Sequence, residues 1–200
     1  TTYPDIKPTE YAALLDKYSN IRLNDENGMA KSLELDYMLK NQTWVCPIET
    51  AMRDQAFYNS GGDYIKLPLK SQFISGEEFY GTLLHEMAHS TGHKDRLNRD
   101  MGGGFGSETY AKEELVAELT SAILSNQTGM TKGIEEQNVG YLQGWLKGLK
   151  EEPKFILSIM GDVNKAVAMI QEKVFDEKIV ENIKNETMQG ISDFLSEKAQ

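Results

Sequence analysis

All three histidines of the chain lie in one short stretch, His85-Glu86-Met87-Ala88-His89-Ser90-Thr91-Gly92-His93. On an α-helix, residues four apart differ by about 40° in angle and about 6 Å along the axis. His85 and His89 can therefore reach one point. Two imidazoles meeting at a point suit a zinc ion, at roughly 2.0–2.1 Å per nitrogen. Glu86 lies about 100° further round the helix. That puts it beside such an ion rather than on it, where a general base for a water nucleophile belongs. The helical wheel supports this arrangement. Tyr80, Leu83, Leu84 and Met87 form the apolar stripe, and the two histidines lie nearly opposite, beside Gly81, Thr82 and Gly92.

An open zinc site needs a third protein ligand, with water in the fourth position. Two carboxylates compete for the role. Asp95 completes an HxxGxxD spacing from His89, although Lys94 and Arg96 flank it as in a polar loop. Glu114 belongs to Glu113-Glu114-Leu115-Val116-Ala117-Glu118. There Glu114 and Glu118 share a helix side with Ala111, Ala117, Ser121 and Ala122, a small-residue face that allows close approach to the histidine helix. Glu114 could bind the metal while Glu118 accepts a proton from a ligand imidazole. Glu113 or Glu118 could also be the ligand, and without the upstream motif such a cluster reads as a solvated acidic face. Tyr110 and Tyr80 are candidate donors to an oxyanion, and His93 is a candidate substrate contact or a surface residue.

These residues need elements to hold them. Residues 1–42 read as a polar helical segment, with Leu14, Leu15 and Tyr18 at helical spacing and a second run from 30 to 39. Between 43 and 73 the pattern changes to short apolar runs, with a hairpin signal at Asn59-Ser60-Gly61-Gly62-Asp63 and a strand end or edge at Pro68. This predicts a sheet of three or four strands. Helices are expected at 76–91, 109–126, 135–149, 153–171 and 176–198, with a glycine-rich reversal at 101–107. The architecture is α+β. Cys46, Trp44 and Trp145 read as core residues.

Composition removes several classes. The chain has 200 residues, 31 acidic and 21 basic, for a net charge of −10. That balance argues against nucleic-acid binding by bulk charge. One cysteine excludes a disulfide scaffold or a CxxC site and fits a reducing, cytoplasmic setting. No apolar run is long enough to span a membrane. The start at Thr1-Thr2 reads as a cut or processed product, so a preceding domain is expected to be possible.

The run from Tyr80 to His93, then Arg96-Leu97-Asn98-Arg99, Phe105-Gly106-Ser107 and Tyr110 to Glu118, resembles the zincin-like metallopeptidase domain of ArdC-type antirestriction proteins. That domain also occurs in polyvalent proteins of plasmids, conjugative elements and phages. Asp63-Tyr64-Ile65-Lys66-Leu67-Pro68 is similar to the family's strand before the active-site helix, and Tyr141-Leu142-Gln143-Gly144-Trp145-Leu146 to a later helix. The resemblance covers about residues 43–172. It implies a zincin-like fold over 43–200, with a small sheet, an active-site helix and a helical C-terminal part, in one compact unit with 1–42. It implies Glu114 as third ligand, in the manner of gluzincins. It also implies a zinc metalloendopeptidase with Glu86 as general base and a protein or peptide substrate, paired with the strand 64–67 if that strand is an edge. In such proteins a single-stranded-DNA-binding domain commonly precedes the peptidase domain, and 1–42 shows no counterpart of it. The competing expectation is a non-catalytic antirestriction module with a structural zinc.

Overall fold

The computed structural model describes residues 24–104, 107–130 and 153–186. The expected helix around Leu14, Leu15 and Tyr18, the helix at 135–149 with Trp145, and the end of the last helix lie outside these residues.

The described elements run α1 (Leu33–Asn41), β1 (Ile48–Ala51), β2 (Phe57–Asn59), β3 (Tyr64–Pro68), a 3-10 turn (Lys70–Gln72), α2 (Gly76–Thr91), α3 (Glu108–Gln127) and α4 (Pro153–Val174). Serines start the first three helices. Ser32, Ser75 and Ser107 each accept a hydrogen bond from the backbone N–H three residues on, filling one of the donors a helix start leaves open. Pro153 opens α4, where its missing N–H costs nothing.

The sheet has the order β1-β3-β2, with β3 parallel to β1 and antiparallel to β2. This corrects the expectation that strand 64–67 could be an edge. β3 is the central strand, because the chain crosses from β1 to β2 and the hairpin then returns between them. Pro68 is the last residue of β3, so its missing donor falls at the strand end. Among the described residues the edge strands are β1 and β2. Alternation explains the burial: Ile65 and Leu67 face inward with Ile48 of β1, while Tyr64 and Lys66 face out.

Leu83, Leu84 and Met87 of α2 pack into the same core as these strand residues, with Leu35 and Met38 of α1 and Ile159, Val163 and Ile170 of α4. α3 packs against both α2 and α4, and α2 also touches α4. Trp44 and Cys46 are buried as expected. The indole N–H of Trp44 donates to Ser90 Oγ at 2.9 Å, and burial pushes the Cys46 thiol up to about 11.

Arg96 ties the loop after α2 to the hairpin. Its Nη1 donates to Asp63 Oδ2 at 3.0 Å, its Nη2 to the other Asp63 oxygen and to the Tyr58 hydroxyl, and its Nε to the carbonyl of Ser90. The guanidinium holds the Asp63 carboxyl below the usual carboxylate range. A depressed folded-state pKa stabilises the fold above the unfolded value, about 3.9, and that stabilisation is lost as pH falls through the folded one. Asp63→Asn is expected to cost about 1.5–3 kcal/mol at pH 7. The gap in melting temperature between wild type and variant should close as pH drops below about 4. A gap constant down to pH 2 would contradict this account of the pair.

Candidate metal centre

α2 carries both histidines on its last turns, and α3 crosses beside it. The approach is close because small residues meet: Ser121 Oγ donates to the Gly81 carbonyl at 2.7 Å, and Ala117 is fully buried. Glu114 is thereby brought to the histidines. His85 Nε2 and His89 Nε2 are 3.0 Å apart. Glu114 Oε2 is 3.7 Å from the first, and its Oε1 is 3.6 Å from the second. One atom from each of the three residues lies within 4.8 Å of the others. Ligands at roughly 2.0–2.1 Å around a tetrahedral ion stand about 3.3 Å apart. The donor set fits a divalent ion.

The protonation of His89 follows from its other nitrogen. Nδ1 faces Glu113 Oε1 at 3.1 Å. Glu113 also accepts from Arg99, through Nε at 2.8 Å and Nη2 at 2.7 Å. Burial works against the Glu113 charge, yet Arg99 and His89 outweigh it and hold the carboxyl below its ordinary range. An ionised carboxylate only accepts, so Nδ1 of His89 carries a proton, and Nε2 is the nitrogen turned to His85 and Glu114.

Glu86 is buried, 7% exposed, on the flank of α2 that faces β2. Desolvation pushes its carboxyl up to about 7, against the smaller opposing effects of His89 and the Tyr58 backbone. Near neutral pH a carboxyl so placed can both take up and release a proton.

The other candidate residues fall in different places. Asp95 is 74% exposed, with Oδ2 3.5 Å from His93 Nδ1, outside the group formed by His85, His89 and Glu114. Glu118 Oε1 is 3.7 Å from His85 Nδ1 and half exposed. That oxygen faces the His85 nitrogen turned away from Glu114, and Glu113 stands in the same way at Nδ1 of His89. His93 is buried in the turn that follows Gly92, where its Nδ1 accepts from the Asp95 N–H at 3.3 Å, so it is not a surface residue. Tyr110 is half-buried one turn ahead of Glu114, on the same side of α3. Tyr80 is fully buried and its hydroxyl donates to Asp36 Oδ1 of α1 at 2.7 Å. It belongs to the apolar stripe and turns away from the histidines. Arg99 is the residue that motif spacing does not single out, its one signal being the family-like Arg96-Leu97-Asn98-Arg99 run, and Glu113, weighed from the sequence as a possible ligand, stands instead at the far nitrogen of His89.

Residues 36–160 match the family model described as a zincin-like metallopeptidase. The chain is 46% identical over 112 residues to the DNA primase TraC of Escherichia coli, a match covering 56% of this chain and 10% of the primase. It is 34% identical over 104 residues to the uncharacterized protein y4eC of Sinorhizobium fredii, covering 52% of this chain and 34% of that protein. The Mn(II)-bound crystal structure of the antirestriction ArdC protein from the R388 plasmid superposes with a TM-score of 0.63 at 34% identity, covering 74% of this chain and 55% of ArdC. Its metal-free form superposes with a TM-score of 0.61. The chain thus spans a small part of the curated relatives it matches and about half of ArdC. With a family match that takes in the sheet, α2 and α3, the chain belongs to the zincin-like metallopeptidase family and has its α+β fold.

Proposed function

We propose that the chain is a metal-dependent peptidase acting on an extended protein or peptide. The observation that carries this reading is the meeting of His85, His89 and Glu114 with a buried Glu86 beside them. The three residues would hold a divalent ion, and two imidazole nitrogens with one carboxylate oxygen suit zinc. When bound, such an ion acidifies water and polarises a carbonyl. Glu86 is placed to take the proton of the attacking water and hand it to the leaving amine. Tyr110, one turn ahead of Glu114, would hydrogen-bond developing negative charge. β2 is the sheet edge beside Glu86, so its open backbone, rather than that of β3, would pair with an extended substrate.

A second reading is supported by the structural likeness to an antirestriction protein: a non-catalytic module whose metal serves stability. Turnover separates the two. Purified chain, loaded with zinc, should cleave an unfolded protein such as reduced casein, and a chelator should abolish the cleavage. Absence of cleavage in a zinc-loaded, folded chain would favour the second reading. No helix among the described residues is long and apolar enough to cross a membrane.

A further inference from the structure

Arg99 has no part in the proposed chemistry, yet its guanidinium is held on every side. Its side chain is 5% exposed. Beyond the two bonds to Glu113, its Nη2 donates to the Ala88 carbonyl and its Nη1 to Thr91 Oγ1, each at 2.8 Å. All these partners lie around His89: Ala88 and Thr91 flank it on α2, and Glu113 touches its ring.

Gly92 gives a second, independent observation. It caps α2 with φ −75 and ψ −7, a conformation open to any residue, so no left-handed turn requires glycine here. Space does. A Cβ on Gly92 would stand 2.9 Å from Arg99 Nη2, 3.0 Å from its Cζ and 3.1 Å from the Met101 sulfur. The glycine is the notch into which the guanidinium seats.

We infer that Gly92, Arg99 and Glu113 form a positioning unit for His89: the notch seats Arg99, Arg99 orients the Glu113 carboxylate, and Glu113 fixes the ring angle and tautomer of His89. The inference rests on the metal-centre reading above. Arg99 is a positioning residue, since it acts through Glu113 and not on substrate. An ion pair that merely joined two helix ends would raise stability without changing the ligand. The Arg96–Asp63 pair, whose arginine lies in the same loop but bonds to neither the His89 ring nor Glu113, supplies that comparison.

The test is zinc affinity by chelator competition, with the visible absorption spectrum of the cobalt(II)-loaded chain as a second readout. Gly92→Ala meets the ends of two side chains, Arg99 and Met101, and no backbone atom, so it should displace the guanidinium and leave the fold intact. Gly92→Ala and Arg99→Lys are expected to weaken zinc binding about 10–100-fold and to alter the cobalt spectrum. Arg99→Ala should regain affinity in millimolar guanidinium. Asp63→Asn should lower the melting temperature and leave affinity and spectrum as in wild type. Folded Gly92→Ala and Arg99→Lys with wild-type affinity and spectrum would overturn the positioning unit alone. Equal weakening by Asp63→Asn would also overturn it, because loop stability would then account for the effect. A wild-type chain that takes up neither zinc nor cobalt would overturn the metal-centre reading itself.

Discussion

Glu86→Gln is expected to keep its metal and lose hydrolysis by about 10²–10⁴-fold, the usual contribution of a general base. The substitution replaces one carboxylate oxygen by an amide nitrogen and changes little in volume, so the packing around this 7%-exposed side chain should hold. The amide oxygen can still face the Tyr58 backbone, which with His89 opposes the upward pull of burial. What disappears is the site that accepts and returns a proton. Glu86 is also absent from the group of converging ligand atoms, so zinc content should match wild type. Parallel assays of zinc content and casein cleavage separate the two roles. Loss of the metal with the activity would make Glu86 a ligand and not a base.

Glu114→Ala should weaken zinc binding by at least the roughly 10–100-fold typical of a residue that only supports a ligand, whereas Asp95→Ala should leave it unchanged. Both carboxylates fit a ligand spacing, and their surroundings separate them. Glu114 has both oxygens turned to the histidines, at 3.6 and 3.7 Å. Asp95 is exposed to solvent and its near neighbour is His93. Folding should survive Glu114→Ala, because a chain of this size buries enough apolar surface without a metal. Competition against a chelator of known affinity gives both values. If Asp95→Ala were the variant that sheds zinc, the site would be of the short-spacing kind and α3 would have no part in it.

The helices with strong local signals were legible. Helix 76–91 has a serine cap, four apolar residues on one stripe and a glycine beyond its last turn, and each of these acts within a few residues of chain. The hairpin at 59–63 was legible for the same reason. Strand order was not, because whether Tyr64–Pro68 runs in the middle or at the edge depends on where β1 sits, 17 residues earlier at Ile48↔Ile65 register and beyond any local pattern. The same division holds at the site. The shared face of His85 and His89 follows from helical period, and the small residues near Glu114 signal a helix–helix approach. The fork from Arg99 to Glu113 bridges a glycine-rich loop with no periodicity, so the sequence offers Glu113 only as one of several carboxylates and does not join Arg99 to it. Gly92 ends its helix, and it also makes room for a side chain seven residues on, which no local pattern shows.

Metal content of the purified chain tests the central claim most directly. Wild type and a His85→Ala, His89→Ala double variant would be exposed to equal zinc, desalted and analysed by elemental mass spectrometry, with folding confirmed by circular dichroism. The account predicts about one zinc per wild-type chain, as one open three-ligand site requires, and essentially none in the folded double variant. Equal zinc in the two proteins would contradict it.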